Sequence, residues 1–206
     1  MRTGIYGGSF DPIHSGHVAA AEAVLHRRAL DRLFFVPAAS PPHKPGGCEA
    51  SFEDRVAMAR LAAAPEHGLD VLDIEGEREG PSYTVDTLRA FQAAHPEDHL
   101  ELLVGADMLD DFPNWREPGA ILELVQLVAF ARPGAVLGPG QQRFTAAFGE
   151  GRAAIVEIPA ISVSSTEVRA RLRKSKSITD LVPKAVEAYI RERHLYRGLT
   201  RNGTKG

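Results

Sequence analysis

The stretch from Gly7 to His17 reads GGSFDPIHSGH. It follows a short apolar segment and closes on two histidines three positions apart, where an alanine-rich helical pattern begins. This feature constrains the chain more than any other. Glycines let the backbone approach a ligand with no Cβ in the way. A helix N-terminus offers unpaired N–H groups and partial positive charge to phosphate oxygens. Helix side chains three positions apart lie on one face, so His14 and His17 can serve the same anion. The combination suits a nucleoside triphosphate. It is neither of the familiar phosphate fingerprints, since the turn lacks G-x-G-x-x-G and no G-x-x-x-x-G-K-[ST] occurs in the chain.

The rest of the composition narrows the setting. A chain of 206 residues with 44% hydrophobic content can build one core and fold as a single domain. A net charge of −3 argues against a dedicated nucleic-acid binder, which normally carries a basic domain. Cys48 is the only cysteine and has no partner for an intramolecular disulfide. The N-terminus leads straight into a strand, without the basic region and apolar stretch of a secretion signal, so the expected compartment is the cytoplasm. The most apolar run, Ala120 to Ala131, is broken by Glu123 and Gln126 and is too short to span a membrane.

Strand and helix patterns alternate along the chain. Strands are expected at Thr3 to Tyr6, Leu33 to Val36, Leu69 to Ile74, Leu100 to Val104, Val125 to Ala131 and Ala154 to Ile158. Helices are expected at Val18 to Leu30, Phe52 to Ala64, Thr84 to Ala94, Pro118 to Leu124 and Pro183 to Glu192. Ser51 with Asp54 resembles a capping box for the second helix. Such alternation predicts an α/β fold: a Rossmann-like, doubly wound parallel sheet with helices on both faces, ligands binding beyond the carboxyl ends of the strands. A small C-terminal helical annex begins at about residue 162. Residues 1–197 form the single domain, and 198–206, rich in Gly, Thr, Arg and Lys, read as a disordered tail. The proline-rich loop PAASPPHKPGG, from Pro37 to Gly47, is long enough to be functional or mobile. Pro139 to Gly151 yields no assignment.

A second element, Ser164-Ser165-Thr166-Glu167-Val168-Arg169, starts another helix. Ser164 and Glu167 fit a capping box, which leaves the first N–H groups of that helix free to meet an anion, with Arg169 about one turn in. Taken alone, this fits an ordinary capped helix with Arg171, Arg173 and Lys174 on a solvated face. A metal centre built on His14 and His17 would need at least one more ligand, and no Cys or His cluster supplies it.

Taken together, the HSGH turn and the SSTEVR segment resemble the (H/T)xGH nucleotidyltransferase superfamily. Pro41-Pro42-His43-Lys44, Ser82-Tyr83-Thr84-Val85-Asp86-Thr87-Leu88, Gly105-Ala106-Asp107, Trp115-Arg116 and the closing Val186, Tyr189-Ile190 and Leu195-Tyr196 are similar to the bacterial nicotinate-nucleotide adenylyltransferase family, essentially end to end. That resemblance implies transfer of AMP from ATP to nicotinate mononucleotide, releasing pyrophosphate, with Mg²⁺ bound through the ATP phosphates and no metal ligand from the protein. It implies ATP-binding roles for Gly7, Gly8, Ser9, Phe10, His14, His17, Gly105, Asp107, Ser164, Ser165, Thr166 and Arg169. His14, His17, Lys44 and Arg169 would serve the phosphates. His43, Lys44, Tyr83, Thr84, Trp115 and Arg132 would hold the mononucleotide, with Trp115 stacking on the pyridine ring; His43 equally fits a mobile surface histidine. The implied partners are two small nucleotides, with no nucleic acid and no membrane, in a monomer or homo-oligomer. Adenylyltransferases for nicotinamide mononucleotide or phosphopantetheine are competing readings, as is a non-catalytic nucleotide- or RNA-binding module. The run RKSKS, Arg173 to Ser177, superficially resembles a synthetase loop but comes without a tRNA-binding domain.

Overall fold

The protein is described by a computed structural model covering residues 1–42, 44, 46–131, 139–159 and 162–197. His43, Arg132 and the stretch 198–206 therefore lie outside the described residues. Among the described residues, six parallel strands form one sheet: β1 (Arg2–Gly8), β2 (Arg32–Pro37), β3 (Leu69–Val71), β4 (His99–Gly105), β5 (Val125–Ala131) and β6 (Ala153–Glu157), in the order β3-β2-β1-β4-β5-β6. Among the described residues, seven α-helices accompany them: α1 (Ser15–Arg27), α2 (Phe52–Ala63), α3 (Thr84–Ala94), α4 (Pro118–Leu124), α5 (Pro139–Phe148), α6 (Ser165–Arg173) and α7 (Lys184–Glu192).

Alternation along each strand sorts side chains to the two faces of the sheet. Tyr6, Phe35, Leu103 and Val128 join one apolar cluster with α1, α2, α6 and α7. Ile5, Val36, Leu102 and Leu127 join another with α3, α4 and α5. Helices thus cover both faces, as the alternating pattern requires. The strand order reverses between β1 and β4. At such a switch point, neighbouring strands send their connections to opposite sides and leave a crevice at their carboxyl ends. Glu101 is the charged residue inside the otherwise apolar β4. It is buried, and its carboxylate is held by Arg2 and Arg28, each at 2.7 Å.

Two expectations are corrected, and the unassigned stretch gains a structure. The third strand stops at Val71, and Ile74–Glu77 form a 3₁₀ turn that tucks Glu75 inside. The backbone at Gly76 comes so close to the Phe52 ring that a Cβ there would sit 2.2 Å from it. The first helix begins at Ser15 rather than Val18, because His14 caps it. The unassigned stretch contains α5, whose Phe144 and Phe148 pack edge-on against Phe112.

Candidate active site

The carboxyl ends of β1 and β4 open into a cavity of about 890 Å³, a size typical of small-molecule sites. Its walls bring together Gly7, Gly8, Ser9, Phe10, His14, His17, Lys44, Tyr83, Thr84, Gly105, Asp107 and Trp115 from five separate segments of chain.

At one end lie the histidines. His14 is the N-cap of α1 and His17 its third residue. The Nδ1 of His14 accepts from the His17 backbone N–H at 3.3 Å, and the Nδ1 of His17 accepts from the His14 N–H at 3.2 Å. An imidazole nitrogen that accepts carries no proton, so each neutral ring keeps its hydrogen on Nε2. The rings stack with centroids 3.6 Å apart and planes 14° from parallel, a spacing at which two imidazolium charges repel. Burial pushes His14 down to about 4. Burial, reinforced by His14, holds His17 well below the usual imidazole range. The free protein therefore presents two neutral Nε2–H donors, preorganised by the helix end they cap.

This burial has a consequence for acid stability. Above pH 6.5 the imidazoles are neutral in both folded and unfolded chains. Between 6.5 and about 4 the unfolded chain takes up protons that the folded one refuses, so stability falls as pH falls through that window. The melting temperature is expected to decline from pH 6.5 toward 4, and to decline less in His14→Asn. Equal pH slopes in the two proteins would refute the neutral, buried assignment.

Ser9 and Phe10 continue the turn. Phe10 adopts φ 43°, with its ring buried edge-on against Tyr6, His17 and Phe35, so it offers the cavity backbone rather than side chain. A Cβ on Gly8 would lie 2.9 Å from that ring. Lys44, from the proline-rich loop, reaches across to donate to Ser9 Oγ at 2.8 Å. After β4, a Cβ on Gly105 would sit 2.4 Å from Asp107 Oδ1, so only glycine lets the Asp107 carboxylate fold back over the strand end.

The other end of the cavity is formed by Ser82, Tyr83 and Thr84 at the start of α3 with Trp115 and Arg116. The N–H groups of Thr84 and Val85 have no partner among the described residues, as the first turn of a helix leaves them. The Arg116 guanidinium lies over the Tyr83 ring at 4.6 Å. Trp115 packs on Phe112 while its indole N–H, buried, has no acceptor among the described residues.

The SSTEVR segment stands beside the cavity rather than in its lining. Ser164 Oγ caps α6 by accepting from the Glu167 N–H at 3.1 Å, but the Glu167 carboxylate turns to Arg171, so the reciprocal half of the expected capping box is not made. Ser165 Oγ donates to the Pro12 carbonyl at 2.9 Å, and Val163 packs against Gly16, which brings the N-termini of α6 and α1 together. Arg169 donates to the Asp11 carbonyl and pairs with Glu49, both at 2.7 Å; Thr166 is exposed. Two residues the sequence reading passed over also matter. Glu75 lines the cavity, accepts from Thr87 Oγ1 at 2.7 Å, and leaves Oε2 buried and without a partner among the described residues. Arg55 lies buried beneath Ser9, donating to its carbonyl at 2.8 Å.

The family model for cytidylyltransferase-like proteins matches residues 5–171, and the chain belongs to that family of nucleotidyltransferases. Its curated relatives carry a narrower name. Proteins named probable nicotinate-nucleotide adenylyltransferase are similar to it in Thermus thermophilus (43% identical, covering 96% of this chain and 100% of the relative), Salinibacter ruber (41%, 96% and 98%) and a Geobacter species (39%, 95% and 98%). Among solved structures, the Plasmodium falciparum nicotinic acid mononucleotide adenylyltransferase complexed with NaAD shares the fold, with a TM-score of 0.77 over 95% of this chain and 97% of that one, at 22% identity.

Proposed function

We infer that this chain is a nicotinate-nucleotide adenylyltransferase. A 5′-phosphate oxygen of nicotinate mononucleotide attacks the α-phosphorus of ATP, the bond from that phosphorus to the bridging oxygen breaks, and pyrophosphate leaves with the electron pair. The stacked, mutually capped His14–His17 pair at the switch point of the sheet carries this reading. Neither partner needs a nucleophile from the protein, so catalysis rests on alignment and charge stabilisation. The two Nε2–H groups donate to the α-phosphate as its charge develops. Lys44 serves the remaining phosphates from the loop, and Arg169 joins it from α6. Gly7, Gly8, Ser9 and Phe10 follow the ATP, Gly105 and Asp107 its ribose, and Ser164, Ser165 and Thr166 the phosphates from the second helix end.

In the acceptor half, the free N–H groups of α3 receive the pyridine carboxylate and Trp115 stacks on the ring. Base–aromatic stacking is worth about 1–3 kcal/mol. Trp115→Ala is therefore expected to raise KM for the mononucleotide roughly ten-fold and leave KM for ATP nearly unchanged. Equal effects on both would make Trp115 a packing residue only.

Mg²⁺ fits this site as cargo of the nucleotide. Among the described residues no three His, Cys, Asp or Glu side chains come together to hold an ion, while the cavity offers N–H and ammonium donors suited to phosphate. When bound with the nucleotide, the metal would neutralise part of the phosphate charge. No helix among the described residues is long and apolar enough to cross a membrane. The deciding assay is pyrophosphate release with Mg-ATP and, in parallel, nicotinate mononucleotide, nicotinamide mononucleotide or phosphopantetheine. Preference for the first is expected. Turnover only with phosphopantetheine would keep the chemistry and overturn the substrate, and silence with all three would overturn the reaction.

A further inference from the structure

Arg55 is a buried charge with no ion-pair contact among the described residues. It is 1% exposed, and no carboxylate lies within 4.0 Å of it among the described residues. Its Nη1 donates to the Ser9 carbonyl at 2.8 Å, its Nε has no partner among the described residues, and its guanidinium sits 5.6 Å from the Phe52 ring centroid. The buried carboxylate of that region, Asp11, shares its surroundings with Arg55 at longer range, both charges bearing on Cys48 and Tyr196, and makes no bond to the guanidinium: its oxygens accept from the N–H groups of Glu49 and Ala50 and from the Tyr196 hydroxyl. Arginine stays protonated, and burying an unpaired charge is costly unless something compensates it.

The compensation belongs above Ser9. There the glycine-rich turn faces the cavity, Lys44 Nζ already holds Ser9 Oγ at 2.8 Å, and the two histidines offer Nε2–H groups. Two cations therefore grip Ser9, one on its side-chain hydroxyl and one on its backbone carbonyl, and neither has a carboxylate within 4.0 Å among the described residues. A hydrogen bond to a carbonyl also polarises the N–H of the same peptide unit. That N–H belongs to Phe10, which has no acceptor among the described residues.

We propose that Arg55 is a positioning residue for the polyphosphate of the nucleotide. Its charge is compensated by the bound phosphates, and its bond to Ser9 strengthens and orients the Phe10 N–H as a phosphate donor. The proposal rests on the ATP-binding reading of this cavity and adds to it a residue that touches no substrate.

Calorimetric titration of the intact chain with adenosine and with Mg-ATP separates a charge effect from a packing effect. In Arg55→Met, ATP affinity is expected to fall about ten-fold, the scale of one charge-assisted hydrogen bond, while adenosine affinity holds. Arg55→Gln, which keeps a donor for Ser9 but no charge, is expected to lose most of the same selectivity, and Arg55→Lys to regain it. A merely structural Arg55 would weaken both ligands by the same factor, and that result, or unchanged ATP affinity, overturns the proposal. If the methionine variant does not fold, the glutamine and lysine variants give the same comparison. A wild-type protein that binds ATP no better than adenosine would instead overturn the polyphosphate site itself, and Arg55's role with it.

Discussion

His17→Ala is expected to lower kcat by about 10² to 10³, or roughly 3 to 4 kcal/mol, the usual cost of removing one preorganised donor to a developing anionic charge. The size of the effect follows from the geometry. His17 Nδ1 is committed to the His14 N–H at 3.2 Å, so the ring cannot turn to present its other nitrogen, and the Nε2–H is fixed before substrate arrives. A donor that reorganises nothing during the reaction contributes its full electrostatic benefit to the transition state. The substitution also removes half of the cap on α1 and the stacking partner of His14. A melting curve must therefore accompany the kinetics. A folded His17→Ala protein with wild-type kcat would refute the role. A parallel loss of kcat and melting temperature, restored on binding ATP, would assign part of the effect to the cap.

The fold was legible where local and global signals agree. Pro118 opens α4 and Thr84 opens α3 at the expected residues, and the apolar run of β5, interrupted only by exposed Gln126, reads as a strand buried on both faces. α5 was not legible. Gly140 and Thr145 give it weak helical propensity, and what holds it is the packing of Phe144 and Phe148 against Phe112, on a segment far earlier in the chain. The third strand was read too long for a related reason. Apolar Leu72 and Ile74 extend the strand pattern, but the chain turns inward to bury Glu75 against Thr87, a contact no local pattern announces.

The site divides in the same way. The histidine pair, the glycine turn and the SYTVDTL segment are contiguous motifs, and the structure brings all three to one cavity. Arg55 is hidden in the sequence because FEDRVAMARLAA places it among other charges on what reads as a solvated helix face. Only the approach of the Ser9 carbonyl from another segment shows that it is buried. Arg169 illustrates the converse. Its motif is plain, yet its observed partners, Glu49 and the Asp11 carbonyl, lie more than a hundred residues away and hold it beside the cavity rather than in its wall.

Asp11→Ala is expected to destabilise the protein by about 4 kcal/mol, because each buried donor left without an acceptor costs roughly 1 to 3 kcal/mol. Asp11 is 1% exposed, and three donors converge on it: the Glu49 N–H at 2.9 Å, the Ala50 N–H at 3.1 Å and the Tyr196 hydroxyl at 2.9 Å. These donors come from the end of the proline-rich loop and from the C-terminal segment, so one carboxylate ties the glycine-rich turn to both. Burial, with the Asp11 charge behind it, holds the Tyr196 hydroxyl protonated far beyond the usual phenol range. Tyr196→Phe removes one of the three bonds and is expected to cost only about 1 to 2 kcal/mol. Urea unfolding of the two single variants and the double variant measures the coupling. If the double variant loses no more than Asp11→Ala alone, the hydroxyl acts through the carboxylate. Strict additivity, or an Asp11→Ala loss below about 1 kcal/mol, would show that the turn and the C-terminus are held by packing instead.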